Sequence, residues 1–393
     1  FSLSQQAWLN EYIYIQSEKE IVEIDKLKNK VENSNEINEL EIAILGSYIS
    51  LSDSKIIIKK IVNYKSLNIL FNDLIILQVK EPLKEIELVK SIISLDVIDD
   101  LVSKKVREQY EENPYPRWRF TNKHIPFNFI ECLNNDIKPN QINHSNKFKT
   151  PSVLIAGCGT GSHAVTATKY KNANILAVDL SLRSLAYAKR KTEELGYKNI
   201  EYLHADILKL KKLNRKFDII ESVGTLHHMK DPIDGLKVLL DILEPHGFLK
   251  LGLYSEAARQ HIVAARELIK RSNLRNVTDD IKNFRQDIIN EKVDPLLQTV
   301  SRGSDFYSTS SVRDLLFHVQ EHRFTIPLIS KILKELDLEF LGFTVFYTDG
   351  IKKEFSKSFP EDKKNISLDN WHQFEVSNPD TFSTMYQFWV KKK

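Results

Sequence analysis

The amino-acid sequence predicts an α/β fold with a parallel, Rossmann-like sheet in the middle of the chain. Between residues 151 and 254, short apolar segments alternate with helical patterns. Such alternation is typical of a parallel sheet whose ligands lie at the carboxyl ends of its strands. The first apolar segment, 153–155, runs directly into a glycine-rich turn. An added helical region precedes this core, and helical insertions are expected after strand five and between strands six and seven.

The core strands are predicted from apolar, β-forming runs that are bounded by turn residues. They cover residues 153–155, 174–178, 199–204, 216–222 and 247–253. Between the second and third strands, the pattern predicts a helix that begins at Ser181, a favourable N-cap residue, and stops at Gly196.

The spacing of glycines in the turn indicates the kind of ligand. The turn reads Gly157-Cys158-Gly159-Thr160-Gly161, so its third glycine comes one place earlier than in the G-x-G-x-x-G pattern of dinucleotide-binding folds. The tight spacing brings backbone close to a bulky uncharged group instead of placing a helix N-terminus under a pyrophosphate. It therefore favours the amino-acid end of S-adenosylmethionine over NAD.

Residues at the ends of the next strands complete the predicted cofactor site. Asp179 ends the second strand about twenty residues after the turn, where a ribose hydroxyl pair is held in a nucleotide-binding βαβ unit. Asp206 follows the third strand and is expected to accept a hydrogen bond from the adenine amino group, with Ile207 packed on the ring. Further cofactor contacts are predicted from Leu180, Glu221, Ser222 and Val223.

These motifs resemble, in the same order, the core of the class I S-adenosylmethionine-dependent methyltransferases. Segment 110–118, Tyr-Glu-Glu-Asn-Pro-Tyr-Pro-Arg-Trp, and segments 313–322 and 371–375 resemble signatures of a bacterial methyltransferase family with a helical N-terminal region. Within that family, the chain is similar to the rickettsial protein-lysine methyltransferases that modify outer membrane protein B. The resemblance implies a seven-stranded sheet, S-adenosylmethionine as methyl donor, S-adenosylhomocysteine as product and a protein substrate.

One position departs from the class I pattern. These enzymes commonly carry an acid two residues before the first glycine, where it helps to bind the cofactor's amino group, and this chain has Ile155 there. Either another group completes that pocket or the methionine end is held differently. Arg117 is expected to meet the cofactor's carboxylate.

Composition sets the broad class of the protein. With 393 residues, 42% of them hydrophobic and 28% charged, the chain is expected to form two or three ordinary globular domains. A net charge of +3 gives no support to nucleic-acid binding. The two cysteines, Cys132 and Cys158, suit a reducing cytoplasm and exclude a disulfide framework. No apolar run reaches membrane-spanning length, and the start at Phe1 reads as a point within a longer protein.

Two regions precede the core. Residues 1–105 are predicted to form a helical domain for packing or dimerisation, with direct substrate binding as the alternative. Residues 106–150 bridge to the core, and Pro114 and Pro116 force an extended backbone that presents Tyr115, Arg117 and Trp118. This bridge is either a rigid linker or, as we favour, a lid over the cofactor and substrate pocket.

Two further regions follow the core segment 151–254. Residues 255–325 are predicted to be a helical insertion near the substrate site, and residues 326–393 to supply the last helix and strands six and seven. Helices are expected at 255–298, 312–322 and 326–336, and strands at 338–346 and 385–390, the last one antiparallel at the sheet edge. On the helix at 312–322, His318 and His322 would share one face.

Methyl transfer is an in-line displacement that depends on alignment more than on a covalent intermediate. A lysine amine with a pKa of about 10.4 is neutral near pH 7 only at a cost of roughly 4.6 kcal/mol, which an apolar aromatic channel lowers. Tyr115, Trp118 and Tyr254 are candidates for the channel walls. His227 is expected to pack or hydrogen-bond against the cofactor, and no residue is expected to be an indispensable acid-base catalyst. No ligand cluster accompanies the pair His227-His228, so no metal is expected.

The sequence thus predicts a cytoplasmic S-adenosylmethionine-dependent methyltransferase that acts on lysine side chains of an outer-membrane or surface protein. The helical domain would mediate a homodimer, and nucleic acid is not expected as a partner. Two alternatives stay open: methylation of a small molecule or a nucleic acid, and a cofactor-binding scaffold without catalysis.

Overall fold

The computed structural model describes residues 1–143, 148–344 and 348–393. The chain divides into two units. The helical unit comprises Phe1–Ser91, Asn113–Arg117 and His261–His318, and the sheet unit comprises Ile92–Glu112, Trp118–Gln260 and Val319–Lys393. These units cross the boundaries predicted from the sequence, since the helices predicted as an insertion after the fifth core strand belong to the same unit as the N-terminal helices.

The sheet unit contains one eight-stranded sheet. Its strands are β1 (Ile93–Ser94), β2 (Ser152–Ala156), β3 (Asn174–Asp179), β4 (Ile200–His204), β5 (Phe217–Val223), β6 (Leu243–Tyr254), β7 (Leu338–Phe343) and β8 (Met385–Lys392). They lie in the order β1-β4-β3-β2-β5-β6-β8-β7. The first six strands pair in parallel, and β8 is antiparallel to both β6 and β7. The predicted Rossmann-like core is confirmed.

Two details of the predicted sheet were wrong or incomplete. Strand β8 does not form the edge but lies between β6 and β7 and is hydrogen-bonded to both. The edge strand is β7, and the last two residues of its predicted range, Val345 and Phe346, lie outside the described residues. The two-residue strand β1, which pairs with β4, was not predicted.

The α-helices of both units can be given in chain order. They are α1 (Ser2–Leu9), α2 (Glu18–Asn33), α3 (Glu39–Leu45), α4 (Lys55–Ile61), α5 (Ile69–Ile75), α6 (Glu81–Val89), α7 (Leu101–Glu112), α8 (Phe129–Asp136), α9 (Ser162–Thr166), α10 (Leu182–Glu194), α11 (Pro232–Ile242), α12 (Gln260–Arg271), α13 (Thr278–Ile289), α14 (Pro295–Gln298), α15 (Thr309–Leu316), α16 (Ile326–Glu335), α17 (Thr348–Ser358) and α18 (Leu368–Ser377). Among these helices, none that the structure describes is long and apolar enough to cross a bilayer.

The predicted helices agree with the structure in part. The region 255–298, expected to hold one or two helices, contains α12, α13 and the short α14, and α16 matches the helix expected at 326–336. The helix expected at 312–322 instead ends at Leu316. His318 and His322 therefore follow the helix and do not share a helical face, which corrects that prediction.

The helical unit is held by two apolar clusters and several buried polar contacts. One cluster includes Phe71 and Leu74 of α5, and the other includes Phe284 of α13. The N-terminal segment is tied to α15 because the hydroxyl of Thr309 donates to the backbone carbonyl of Glu11 at 2.9 Å.

The central sheet is covered by apolar layers on both faces. On one face, side chains such as Leu154 and Ile220 pack with those of α11 and α16. On the other face, Ile155 and Phe248 pack with Phe129 of α8. This burial on both faces explains why the core strands are almost continuously apolar. The polar residues at the carboxyl ends of the strands therefore stand at the edge of a rigid platform.

Candidate active site

Backbone hydrogen bonds close the glycine turn after β2, and a side chain would not fit at its first and last glycines. The amides of Gly157 and Cys158 both donate to the carbonyl of Val178 at 2.9 Å. Gly157 has a φ of +83°, and a Cβ there would lie 2.1 Å from Oγ1 of Thr225. At Gly161, with a φ of +89°, a Cβ would lie 2.6 Å from that of Ala188 on α10. Both positions need glycine for its backbone conformation and for the close approach.

Asp179 at the end of β3 is joined directly to this turn. One of its carboxylate oxygens accepts from the Gly159 amide at 2.8 Å, and the other accepts from the Ser181 amide at 2.9 Å. Burial raises the pKa of Asp179 to about 6, against these two hydrogen bonds, which lower it. The carboxylate thus sits where the sequence predicts a ribose contact, and that contact stays a prediction.

Asp206 follows β4 and keeps one oxygen without a well-placed donor. Its Oδ1 accepts from the Leu208 amide at 2.9 Å, which caps the following helical turn. Its Oδ2 is buried and accepts no hydrogen bond of good geometry from the described residues, although the side chain of Ser103 is close enough to lower the pKa of the carboxyl group. Burial raises the pKa of this carboxyl group. A buried acceptor without a well-placed donor is costly, so Asp206 fits the predicted hydrogen bond from an adenine amino group, beside the buried Ile207.

The signature segment 110–118 contacts the same strand ends through its first and last residues. Glu111 accepts from the Leu182 amide at 2.5 Å and so caps α10, where Ser181 is the N-cap residue. Trp118 donates its indole N–H to the carbonyl of Thr160 in the glycine turn at 3.0 Å. The ammonium of Lys191 lies 5.3 Å from the centre of the Trp118 ring. Trp118 therefore supports the cofactor turn, and its predicted role in the acceptor channel stays a prediction.

Tyr115 and Arg117 belong to the helical unit. The guanidinium of Arg117 forms an ion pair with Glu11, with 3.0 Å between Nε and Oε1, and lies 5.2 Å from the centre of the Trp8 ring. Arg117 thus has an anionic partner within its own unit. Its predicted contact with the cofactor's carboxylate is not tested by this arrangement, and the same holds for Tyr115 as a channel wall.

Tyr254, at the end of β6, is the middle member of a stack of three side chains. His227 stacks on its ring with 3.7 Å between centroids, and the guanidinium of Arg259 lies 3.6 Å from the ring centre. Two groups this close cannot share one face, so both faces of the Tyr254 ring are covered. Arg259 is fixed in turn by a buried ion pair with Glu321 at 2.8 Å. The ring faces of Tyr254 are therefore closed to an acceptor, and its role as a channel wall stays a prediction.

Glu221 and Ser222, near the end of β5, are both buried. Oε1 of Glu221 accepts from the Tyr170 hydroxyl at 2.7 Å, and Oε2 lies 2.8 Å from Nε2 of His163. Burial alone would raise the pKa of Glu221, but His163, Lys250 and Lys169 outweigh it and hold the pKa well below its usual range. His163 was missed in the sequence analysis, although its position two residues after the last glycine of the turn was a usable signal.

The remaining predicted site residues line the same strand ends. The carbonyl of Leu180 accepts from His204 at 2.9 Å, and Val223, the last residue of β5, is partly exposed. Cys158 is buried, and burial raises the pKa of its thiol well above the usual value. The thiolate is thus disfavoured.

Comparison with known proteins identifies the class. Residues 153–247 match a family model described as a methyltransferase domain. The solved structure of PKMT2 from Rickettsia typhi is similar, with a TM-score of 0.51 and 18% identity over 69% of this chain and 54% of that chain. A second structure of PKMT2, in complex with AdoHcy, also has a TM-score of 0.51. The chain has the fold of the class I S-adenosylmethionine-dependent methyltransferases and resembles the rickettsial enzymes, as predicted, while spanning about half of the length of PKMT2.

Two curated relatives extend the comparison. An uncharacterized protein of Synechococcus sp. is 26% identical over 316 residues, which cover 74% of this chain and 72% of that protein. A ubiquinone biosynthesis O-methyltransferase of Coxiella burnetii is 30% identical over 132 residues, which cover 34% of this chain and 54% of that enzyme. The long match to the first protein shows that the similarity is not confined to the methyltransferase domain.

The residues of the sheet unit fit the cofactor of this class. S-adenosylmethionine supplies an electrophilic methyl group on a sulfonium centre. Asp179 would hold its ribose, and Asp206 has a buried oxygen for its adenine.

Proposed function

We propose that this chain transfers methyl groups from S-adenosylmethionine to lysine side chains of a protein, and that this protein is an outer-membrane or surface protein. The observation that supports methyl transfer is the hydrogen bond from the Gly159 amide to Asp179, together with the buried oxygen of Asp206 that accepts no hydrogen bond of good geometry. The lysine acceptor is supported by the sequence resemblance to rickettsial protein-lysine methyltransferases and by the fold shared with PKMT2.

The residues of the sheet unit would contribute by binding, aligning and excluding water. Asp179 and Asp206 would fix the adenosine part, and the stacked Tyr254 would form part of the acceptor channel at the end of β6. Because Tyr254 is held between His227 and Arg259, its ring is positioned without further ordering. An acceptor amine next to such buried aromatic groups is more easily neutral than in water, which favours attack on the methyl group.

The experiment that tests this function is methyl transfer with a labelled donor. The purified chain is incubated with S-adenosylmethionine that carries a radiolabelled methyl group and with an outer-membrane protein fraction, and modified side chains are mapped by mass spectrometry. We expect label on lysine residues. The matched control is Gly159→Arg, which replaces the glycine whose amide donates to Asp179 and should abolish both cofactor binding and labelling.

Other outcomes of the same experiment would favour the alternatives. Label in a small-molecule or nucleic-acid fraction only would contradict the lysine proposal while keeping methyl transfer. A small-molecule acceptor is favoured by the relative named for ubiquinone biosynthesis, although that match covers 34% of this chain. Binding of the cofactor without label in any fraction would favour a scaffold.

We also propose that the protein acts in the cytoplasm and forms a homodimer through its N-terminal helices. The cytoplasmic proposal rests on Cys132 and Cys158, both of which are free thiols. The homodimer is supported by large apolar side chains that are exposed on the helical unit, among them Leu3, Leu67 and Ile69. Sedimentation equilibrium tests it, with Leu67→Glu and Ile69→Glu expected to yield monomers; a monomeric wild-type chain would contradict it.

A further inference from the structure

The acid that is absent at position 155 has a counterpart on the neighbouring strand. Ile155 of β2 pairs in register with Glu221 of β5. Paired residues on adjacent parallel strands point to the same face and lie about 5 Å apart. The sheet therefore carries a carboxylate at the same level as the usual acid, displaced by one strand. Acids at both positions would place two like charges side by side, which is destabilising.

The carboxylate of Glu221 is fixed on both oxygens and turned toward His163. The Tyr170 hydroxyl holds Oε1 at 2.7 Å, and Nε2 of His163 lies 2.8 Å from Oε2. The side chain of Glu221 is 3% exposed, whereas that of His163 is 21% exposed. Any contact between this pair and a ligand at the glycine turn must therefore be made by the imidazole.

The hydrogen bond with Glu221 determines what the imidazole offers. An ionised carboxylate only accepts, so Nε2 of His163 carries the proton and donates it to Glu221. While the imidazole is neutral, the other nitrogen, Nδ1, is an acceptor; the imidazolium form has two donors and repels an ammonium group, so binding of that group requires neutral His163. His163 also lies in the first turn of α9, two residues after Gly161. The sequence thus places this imidazole directly after the turn that is predicted to approach the methionine end.

We propose that Glu221 and His163 together replace the acid missing at position 155, with His163 accepting a hydrogen bond from the α-ammonium group of the cofactor's methionine end. Glu221 acts as a positioning residue that fixes the tautomer of His163 and supplies the negative charge that balances the ammonium group. The proposal rests on the proposed use of S-adenosylmethionine. A purely structural ion pair is the competing explanation, because Lys250 lies in register with Glu221 on β6 and shares this buried row.

Calorimetry with three ligands separates these explanations. S-adenosylhomocysteine has both groups of the amino-acid end, decarboxylated S-adenosylmethionine keeps the ammonium, and 5′-methylthioadenosine has neither group. For His163→Phe and for Glu221→Gln we expect the first two ligands to bind about ten- to hundredfold more weakly, as for loss of a hydrogen bond to a charged group. The affinity for 5′-methylthioadenosine should stay within about twofold.

Two further variants keep the test decisive. His163→Gln retains a donor and an acceptor, so it should recover part of the lost affinity even if His163→Phe folds poorly. Ile155→Asp placed in the Glu221→Gln background should also recover affinity for the ammonium-bearing ligands, because it restores the acid at its usual position. Circular dichroism confirms that each variant is folded.

Each remaining outcome bears on a different claim. An equal loss for all three ligands, or no loss for any, would overturn the role of this pair while leaving the cofactor in place. A wild-type chain that binds none of the three ligands would overturn the proposed function itself, and the pair's role with it.

Discussion

The indole N–H of Trp118 donates a 3.0 Å hydrogen bond to the backbone carbonyl of Thr160. This bond joins the end of the signature segment 110–118 to the middle of the glycine turn. At the start of the same segment, Glu111 caps α10 next to Asp179. Within the sheet unit, the segment therefore holds both sides of the predicted cofactor site, the turn after β2 and the end of β3.

Two variants of Trp118 should separate support of the turn from a role in the acceptor channel. Trp118→Phe keeps an aromatic ring but removes the N–H donor, so we expect the KM for S-adenosylmethionine to rise about three- to tenfold with kcat nearly unchanged. Trp118→Ala also removes the ring and should lower kcat as well if the ring lines the channel. Steady-state kinetics measure both constants. An unaltered KM in Trp118→Phe would show that the bond to Thr160 does not support the cofactor.

The raised pKa of Asp179 predicts how cofactor affinity depends on pH. Ribose hydroxyls donate to the ionised carboxylate, and this form is lost as pH falls through about 6. The affinity for S-adenosylhomocysteine should therefore be highest above pH 7 and fall progressively below pH 6, by up to about tenfold per pH unit. Calorimetric titrations between pH 5 and 8 measure this dependence.

Asp179→Asn is the control for this prediction. The amide has nearly the same shape but does not titrate in this range, so its affinity should be low and almost independent of pH. A profile with the same slope in the variant would assign the pH dependence to another group. The effect of Asp179 on the free energy of unfolding has the opposite pH dependence. Because the pKa of Asp179 is raised in the folded chain, its stabilising effect is complete below about pH 4 and lost as pH rises through about 6.

Local patterns were sufficient to predict the core strands, the glycine turn and the helix after Ser181. Each of these depends on residues that are close together in the sequence, such as the N-cap Ser181, whose hydroxyl accepts from the Ser184 amide at 3.0 Å. The position of β8 was not predictable in this way. It depends on pairing with β7, which lies more than forty residues earlier in the sequence, and with β6, which lies more than a hundred residues earlier.

The polar contacts of the site show the same division. Asp179 and Asp206 were predicted because each directly follows an apolar strand. The pairing of His163 with Glu221 joins two residues that are 58 positions apart, and the covered faces of Tyr254 depend on Arg259, which follows β6. Strand register and side-chain packing determine these contacts, and neither is encoded in a local sequence period.

The buried ion pair of Arg259 and Glu321 should be important for stability. The two side chains are 3% and 1% exposed, so Arg259→Met removes the 2.8 Å partner of a buried carboxylate and leaves the more distant Arg323, at 3.5 Å, beside it. We expect a loss of about 3–5 kcal/mol in the free energy of unfolding, measured by urea denaturation. Lys331→Met, which removes an exposed pair with Glu335 on α16, should change it by less than about 0.5 kcal/mol. Similar losses in both variants would contradict this account.

Gly161 and Gly196 offer a matched test of why the turn needs glycine. Both have a positive φ, +89° and +78°, but a Cβ at Gly161 would lie 2.6 Å from that of Ala188, whereas a Cβ at Gly196 would meet nothing within 4 Å. Gly196→Ala should therefore cost only the backbone strain, about 1 kcal/mol. Gly161→Ala should cost a further 1–3 kcal/mol, roughly, for overpacking against α10, and should weaken binding of S-adenosylhomocysteine because α10 or the turn must move. Urea denaturation and calorimetry measure the two effects. Equal destabilisation in the two variants would mean that the conformation alone, and not the close packing of the turn on α10, requires glycine there.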